Sequence, residues 1–345
     1  MHHLTTVAGP LPVAAVRGPA LAHEHLVLDL DRTGDGAAVL DAKRHRSAVT
    51  TELSALREEF GLCLVVELTC RGMGRDPRAL ARVSAESGVA VVAATGWYYE
   101  PFHPHDIGTA SVEQLTETLV HEITAGFGDT GIRPGVLGEI GSHGDRPSEP
   151  ETRALLASAR AALATGLSVA THAQLGRGGP AQLELLTGTG LPAHRISIGH
   201  QDLLDEPSVH RELAASGAYV AFDTVGKESY QSDGTRLRLL LALLEAGHAD
   251  RALLSCDISR HGYLEAEGGQ GYGHLLRSFL PRLRAAGVDD DLIDLMTRRN
   301  PVRFLTGADP DADPGADPGV ATGTGTGIAT GTGTGTGFGS DAEEI

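Results

Sequence analysis

Apolar runs of five to seven residues, rich in alanine and β-branched side chains, recur along the chain. They lie at 20–26, 63–68, 89–95, 135–140, 168–172, 195–199, 218–222 and 252–256. Between them come longer stretches, such as 151–165, 207–216 and 235–246, where Ala and Leu repeat at helical spacing among Arg and Glu. Short apolar strands alternating with amphipathic helices predict a parallel sheet built from crossover units. Eight such units are the pattern of a (β/α)8 TIM barrel in a single domain. A doubly wound open sheet shares the alternation, but no GxGxxG loop follows the first run, and polar residues recur at too many run ends. After Leu305 the pattern stops, and Asp-Pro repeats give way to repeated Thr-Gly. That composition buries too little apolar area to offset its ordering entropy. A folded domain over 1–306 and a disordered acidic, Gly/Thr-rich tail over 307–345 are therefore expected.

The polar residues that end the apolar runs carry the chemistry. The first run delivers His23 and His25, two apart, so that both imidazoles leave a strand on one face. Glu139 ends Gly-Val-Leu-Gly-Glu, His172 ends Ser-Val-Ala-Thr-His, His200 ends Ile-Ser-Ile-Gly-His and Asp257 ends Leu-Leu-Ser-Cys-Asp. A single polar residue at such a position is ordinarily a hydrogen-bonded rim residue. Four histidines and two carboxylates on one end of a barrel instead match the ligand set of two divalent transition metals. Zinc is expected, or manganese or cobalt, with no thiolate involved. Two cations need an anion between them, and Glu139 is placed to bridge. A water they share would be acidified to a hydroxide nucleophile.

Composition narrows the class. A net charge of −17 argues against non-specific nucleic-acid binding. Seven of the acidic residues lie in the tail: Asp309, Asp311, Asp313, Asp317, Asp341, Glu343 and Glu344. No apolar run approaches the length of a membrane span, and the start has no secretory pattern. Cys63, Cys70 and Cys256 form no CxxC pair, which suits a reducing cytoplasm. The expected partner is a small-molecule substrate, with no nucleic acid and no membrane; a homodimer is compatible with the sequence. Lys43 and Lys227 are the only lysines. Lys43 lies in a charged surface stretch, whereas Lys227 follows the seventh predicted strand.

Specific motifs extend the reading over 19–305: Ala-His-Glu-His-Leu, Gly-Glu-Ile-Gly, Ala-Thr-His-Ala, Ile-Gly-His-Gln-Asp, Phe-Asp-Thr-Val-Gly-Lys, Leu-Ser-Cys-Asp-Ile, Gly-Gly-Gln-Gly-Tyr and Asn-Pro-Val-Arg-Phe-Leu. In these the chain resembles the phosphotriesterase-related branch of the amidohydrolase superfamily. It is most similar there to the bacterial phosphotriesterase homology proteins, which have a glutamate on strand 4. The resemblance implies that His23, His25 and Asp257 hold the more buried metal and His172 and His200 the more exposed one. Glu139 and the hydroxide would join them, with Asp257 as the catalytic proton carrier. Enzymes that hydrolyse organophosphates use a carboxylated lysine on strand 4; Glu139 is a permanent but shorter carboxylate. The implied activity is attack on an ester, with lactones or phosphorylated lactones first and phosphotriesters as a side activity. An amide hydrolase, or a catalytically silent metal-binding regulatory protein, remains the alternative.

Four more residues are substrate-binding candidates through the same resemblance. Members that open phosphorylated sugar lactones use a lysine after strand 7, and an arginine and tyrosine after strand 8, to grip the phosphate. Here those are Lys227, Arg260 and Tyr263, a set suited to a phosphate dianion. The competing reading pairs them as rim charges with Glu228, Glu265 or Glu267. Tyr98, after the third strand, would line the metal pocket or simply pack. Asp202 is expected to fix the His200 region. His103, His105, His143, His261 and His274 are expected to surround the site without binding metal.

Overall fold

The computed structural model describes residues 2–312. Its centre is an eight-stranded parallel sheet curled into a barrel, with helices outside. The strands are β1 (Ala20–Glu24), β2 (Leu64–Glu67), β3 (Ala90–Thr95) and β4 (Val136–Ser142). They continue as β5 (Val169–Ala173), β6 (Ile196–Ile198), β7 (Tyr219–Phe222) and β8 (Ala252–Leu254). Each strand pairs with its sequence neighbour from β1 through to β8. The order is that of the TIM barrel expected from the alternation. Every predicted run overlaps its strand, although β4 and β5 run on to Ser142 and Ala173, β8 stops two residues early and His25 lies just beyond β1.

Seven helices link the strands: α1 (Arg46–Phe60), α2 (Pro77–Ser87), α3 (Val112–Ala125), α4 (Glu149–Thr165), α5 (Gly179–Thr187), α6 (Pro207–Ala215) and α7 (Asp233–Glu245). Local chemistry sets their ends. Ser111 and Ser148 form capping boxes with Gln114 and Glu151, and Asp76 caps α2 with Pro77 at its first position. The strands present two faces. Leu21, Val65, Val91 and Val220 pack outward against the helices, while Ala22, Val66, Val92, Ala170 and Leu253 fill the barrel. Val302, Phe304 and Leu305 of the last helical segment close the amino-terminal end of the barrel, beside Leu4 and Val16. Leu4 belongs to a short hairpin (His3–Thr6 with Gly9–Pro12) that no apolar run predicts.

Two irregularities re-aim side chains. The β1–β2 register shifts between Leu21 and Glu24, and the β4–β5 register shifts between Leu137 and Ile140. Bulges of this kind break the strict alternation of faces. They let His23 and Glu139 enter the site. Close approach matters at Gly199, where a Cβ would lie 2.1 Å from the Thr171 carbonyl oxygen. Only glycine lets β6 come so near β5 directly before His200.

The segment after β7 is tied down from beneath by Arg236, a fully buried side chain of α7. Its Nε donates to Asp202 (2.7 Å), and its other nitrogens reach Asp233 (3.1 Å), Thr224 Oγ1 (3.0 Å) and the Lys227 carbonyl (3.1 Å). Asp202 also accepts the N–H groups of Asp223 and Thr224, so it fixes the end of β7 as well as the region after His200.

Of the tail expected from 307, residues 307–312 are among those described. Gly307 closes the last helix, and Arg298, Arg299 and Arg303 pair with Asp309 and Asp311. Residues 313–345 of the expected tail lie outside the described residues. Among those described, no helix is long and apolar enough to cross a membrane.

Arg236→Ala removes the one cation that pairs with the fully buried Asp202 among the described residues, while Asp233 keeps His274. Chemical denaturation should show a loss of about 3–5 kcal/mol. A loss below about 1 kcal/mol would contradict the anchoring role.

Candidate metal centre

The carboxyl ends of the strands bring His23, His25, Glu139, His172, His200 and Asp257 together, all buried. Glu139 stands at the centre. Its carboxylate lies 3.4 Å from His23 Nε2, 3.3 Å from His25 Nε2, 3.1 Å from His172 Nδ1 and 3.5 Å from His200 Nε2. Asp257 Oδ1 is 3.3 Å from His25 Nε2 and 3.9 Å from His23 Nε2. His172 Nδ1 and His200 Nε2 are 2.7 Å apart. Two triads, His23–His25–Glu139 and Glu139–His172–His200, share the glutamate, and each has the spacing to enclose an ion.

Each imidazole is held by its other nitrogen. Asp223, the residue after β7, receives Nδ1 of His23 at 2.7 Å and Nδ1 of His200 at 2.9 Å. His25 Nδ1 meets Thr69 Oγ1 at 2.8 Å, and His172 Nε2 meets Gln174 Oε1 at 2.6 Å. This is how metal-binding histidines are oriented, with one nitrogen fixed by an oxygen and the other left for the ion. His23 Nε2 is buried and has no hydrogen-bond partner. A buried polar atom in that state needs a cation or a proton to satisfy it.

The electrostatics point the same way. Burial opposes charge on Glu139, yet His23 and His172 hold its carboxyl well below the usual carboxylate range. Burial also disfavours charge on His25, but Asp257 and Glu139 raise it to about 9. For His200, Asp223 outweighs burial and raises it to about 10. His172 moves down, through burial and the neighbouring His200. Three carboxylates thus demand positive charge from a pocket whose own bases are imidazoles. Divalent cations meet that demand with nitrogen and oxygen ligands. His200 and Asp257 adopt left-handed backbone angles, φ +57° and +49°. Such conformations cost about 1–3 kcal/mol each and gather at functional sites.

A cavity of about 220 Å³ opens above the cluster. Tyr98 lines it, with its hydroxyl 3.4 Å from His172 Nε2. Tyr99, Phe102, Leu30, Leu175 and Leu203 add apolar lining. Lys227 and Arg260 line the same cavity. Neither makes the ion pairs considered from sequence. Lys227 Nζ contacts the Asp257 carboxylate and lies 2.9 Å from Ser259 Oγ. Arg260 has no carboxylate partner among the described residues, and its Nε is buried without a hydrogen bond. Tyr263 supports both cations, its ring 5.2 Å from Lys227 Nζ and 5.1 Å from the Arg260 guanidinium carbon.

The surrounding histidines take supporting places. His103 meets the Tyr98 carbonyl, His143 stacks on Tyr99, His261 stacks on His45, and His274 pairs with Asp233. The sequence reading passed over Asp223. Its signal was present, because it ends Tyr-Val-Ala-Phe as the other site residues end their runs.

A parallel eight-stranded barrel with histidines and carboxylates gathered at the carboxyl ends of its strands defines the class of barrel metal-dependent hydrolases. The family model of the phosphotriesterase family matches residues 2–305, and the chain belongs to that family. It is 37% identical over 288 residues to the phosphotriesterase homology protein of Escherichia coli (strain K12), covering 83% of this chain and 97% of the relative. A crystal structure of the Escherichia coli phosphotriesterase homology protein, complexed with phosphate in its active site, aligns with a TM-score of 0.81 and 36% identity. That alignment covers 84% of this chain and 99% of that one. N-acetyltaurine hydrolase of Homo sapiens is 31% identical over 280 residues, 77% of this chain and 79% of the relative. A mutant PTE-like lactonase from Deinococcus radiodurans aligns with a TM-score of 0.78 at 33% identity, over 88% of this chain and 99% of that one.

Asp223→Asn keeps the shape but removes the charge that faces two imidazoles. Titration of chelator-stripped protein with Zn2+ should show affinity reduced about 10–100-fold. Unchanged affinity would show that Asp223 does not orient the ligands.

Proposed function

We propose that this protein hydrolyses carboxylic esters, lactones and phosphorylated lactones first, using two divalent ions. His23, His25 and Asp257 would hold one ion and His172 and His200 the other, with Glu139 between them. Zinc, manganese and cobalt all suit these donors. The observation that carries the reading is the pairing of this cluster with Arg260, which lines the same cavity and pairs with no carboxylate among the described residues. When bound, the ions would acidify a water and polarise the oxygen of the bond under attack.

The chain's own side chains account for the rest. Asp257 stands where it can accept the proton of the attacking water and pass it to the leaving oxygen. Burial opposes its charge, but Lys227 holds its carboxyl well below the usual range, which keeps it in the ionised form that a ligand or proton acceptor must have. The Lys227 charge is thereby engaged, and the anionic end of a substrate falls to Arg260, braced by Tyr263. Tyr98, Phe102 and Leu175 would pack against the uncharged part of the substrate, and the hydroxyl of Tyr98 is within reach of the reacting group. Phosphotriesters carry no anionic end, gain nothing from Arg260, and are placed second.

An amide reading has a specific observation behind it, the similarity to N-acetyltaurine hydrolases. Attack on a carbonyl carbon serves an amide as well as an ester. N-acetyltaurine also ends in a sulfonate, an anion that an arginine pairs readily.

The test is a panel of phosphorylated lactones, neutral lactones, anionic N-acetyl amides and phosphotriesters, assayed on protein reconstituted with each metal. Phosphorylated lactones should show the highest kcat/KM. Arg260→Ala should raise KM for anionic substrates about 10-fold or more, the loss of one charged hydrogen bond, and leave neutral lactones within about twofold. Equal effects on both, or no turnover by fully loaded protein, would contradict the proposal.

A further inference from the structure

The barrel's seam, where β8 returns to β1, is joined by side chains. Among the described residues the two strands share no ladder. His23 N–H donates to Ser255 Oγ at 3.0 Å, and Asp257 N–H donates to the His23 carbonyl at 3.3 Å. The remaining links come from Glu24, which lies between the two site histidines and is fully buried. Its Oε1 accepts the Ser255 hydroxyl at 2.7 Å and the Cys256 N–H at 2.8 Å, and its Oε2 accepts the Ile258 N–H at 2.8 Å.

We propose that Glu24 is the positioning residue for Asp257. The two amides it receives flank Asp257 directly, and Asp257 is the residue in left-handed conformation at φ +49°. Backbone of that kind persists only where its surroundings over-determine it. A two-oxygen acceptor inserted from β1 does so here, because it fixes the peptides on both sides of the turn. The segment His23–Glu24–His25, at the end of β1, therefore supplies two site histidines and, between them, the side chain that places Asp257. Neither the identity of the metal nor that of the substrate enters the argument. It does rest on the reading of Asp257 as a ligand beside His23 and His25.

Glu24→Gln is close to isosteric, but its amide nitrogen is a donor. One of the two flanking N–H groups then faces another donor and loses its partner. Zn2+ titration of the stripped full-length variant should show affinity for one ion reduced about 10–100-fold, with the other bound as in wild type. A general loss of structure lowers both affinities, and an idle Glu24 lowers neither; either result overturns the proposal. Should the variant not fold, amide exchange in the wild-type protein decides. The Cys256 and Ile258 amides should exchange as slowly as those of β7, whereas exchange at exposed-loop rates would overturn the clamp. If wild type takes up no metal at all, the ligand reading fails, while the exchange result still reports on the clamp.

Discussion

A carboxylate taken out of water must find positive charge close by, and Glu139 stands where four imidazoles converge to share or hold that charge. Much of the local architecture serves that arrangement. The β4 register shift turns Glu139 inward, and glycine before His200 lets β6 close on β5. Asp223 fixes two of the rings from behind, so that their free nitrogens meet around the glutamate. Asp223 is itself a buried carboxylate, and Arg236 and Asp202 hold the backbone that carries it. The chain of dependence runs from a salt-bridged anchor under β7, through a histidine-orienting aspartate, to a central bridging anion.

The barrel and six of the site residues were legible because parallel strands buried on both faces read as apolar runs, and a polar residue ending such a run stands out. Glu139, His172, His200 and Asp257 were found in that way. Asp223 ended a run of the same kind and was missed, because the residues sought were ligands rather than the groups that orient them. Pairings across the barrel could not be read at all. The Lys227–Asp257 contact joins loops after different strands, and sequence spacing carries no information about it. The bulges at β1 and β4 were equally hidden, because they are set by how neighbouring strands pack. The hairpin at 3–12 escaped for another reason: its strands are four residues each, and the second, Gly-Pro-Leu-Pro, is rich in proline and glycine, which argue against strand. Asp309 and Asp311, counted as tail charges, pair with Arg298, Arg299 and Arg303 of the last helical segments, contacts that composition does not announce.

Within the phosphotriesterase family, the site combines a buried carboxylate among four imidazoles with a cavity lined by apolar side chains and two cations. The two cations differ in their partners: Lys227 contacts Asp257, whereas Arg260 pairs with no carboxylate among the described residues. On the proposed reading, substrate choice rests with residues after β8, and metal geometry with residues at the ends of β1, β4 and β7.

The most direct test of the account is the metal content of the purified chain, measured by elemental analysis beside a Glu139→Gln variant. Wild type should carry two divalent ions per chain, and the variant should lose at least one. Two ions retained by the variant at wild-type affinity would contradict a site organised around Glu139.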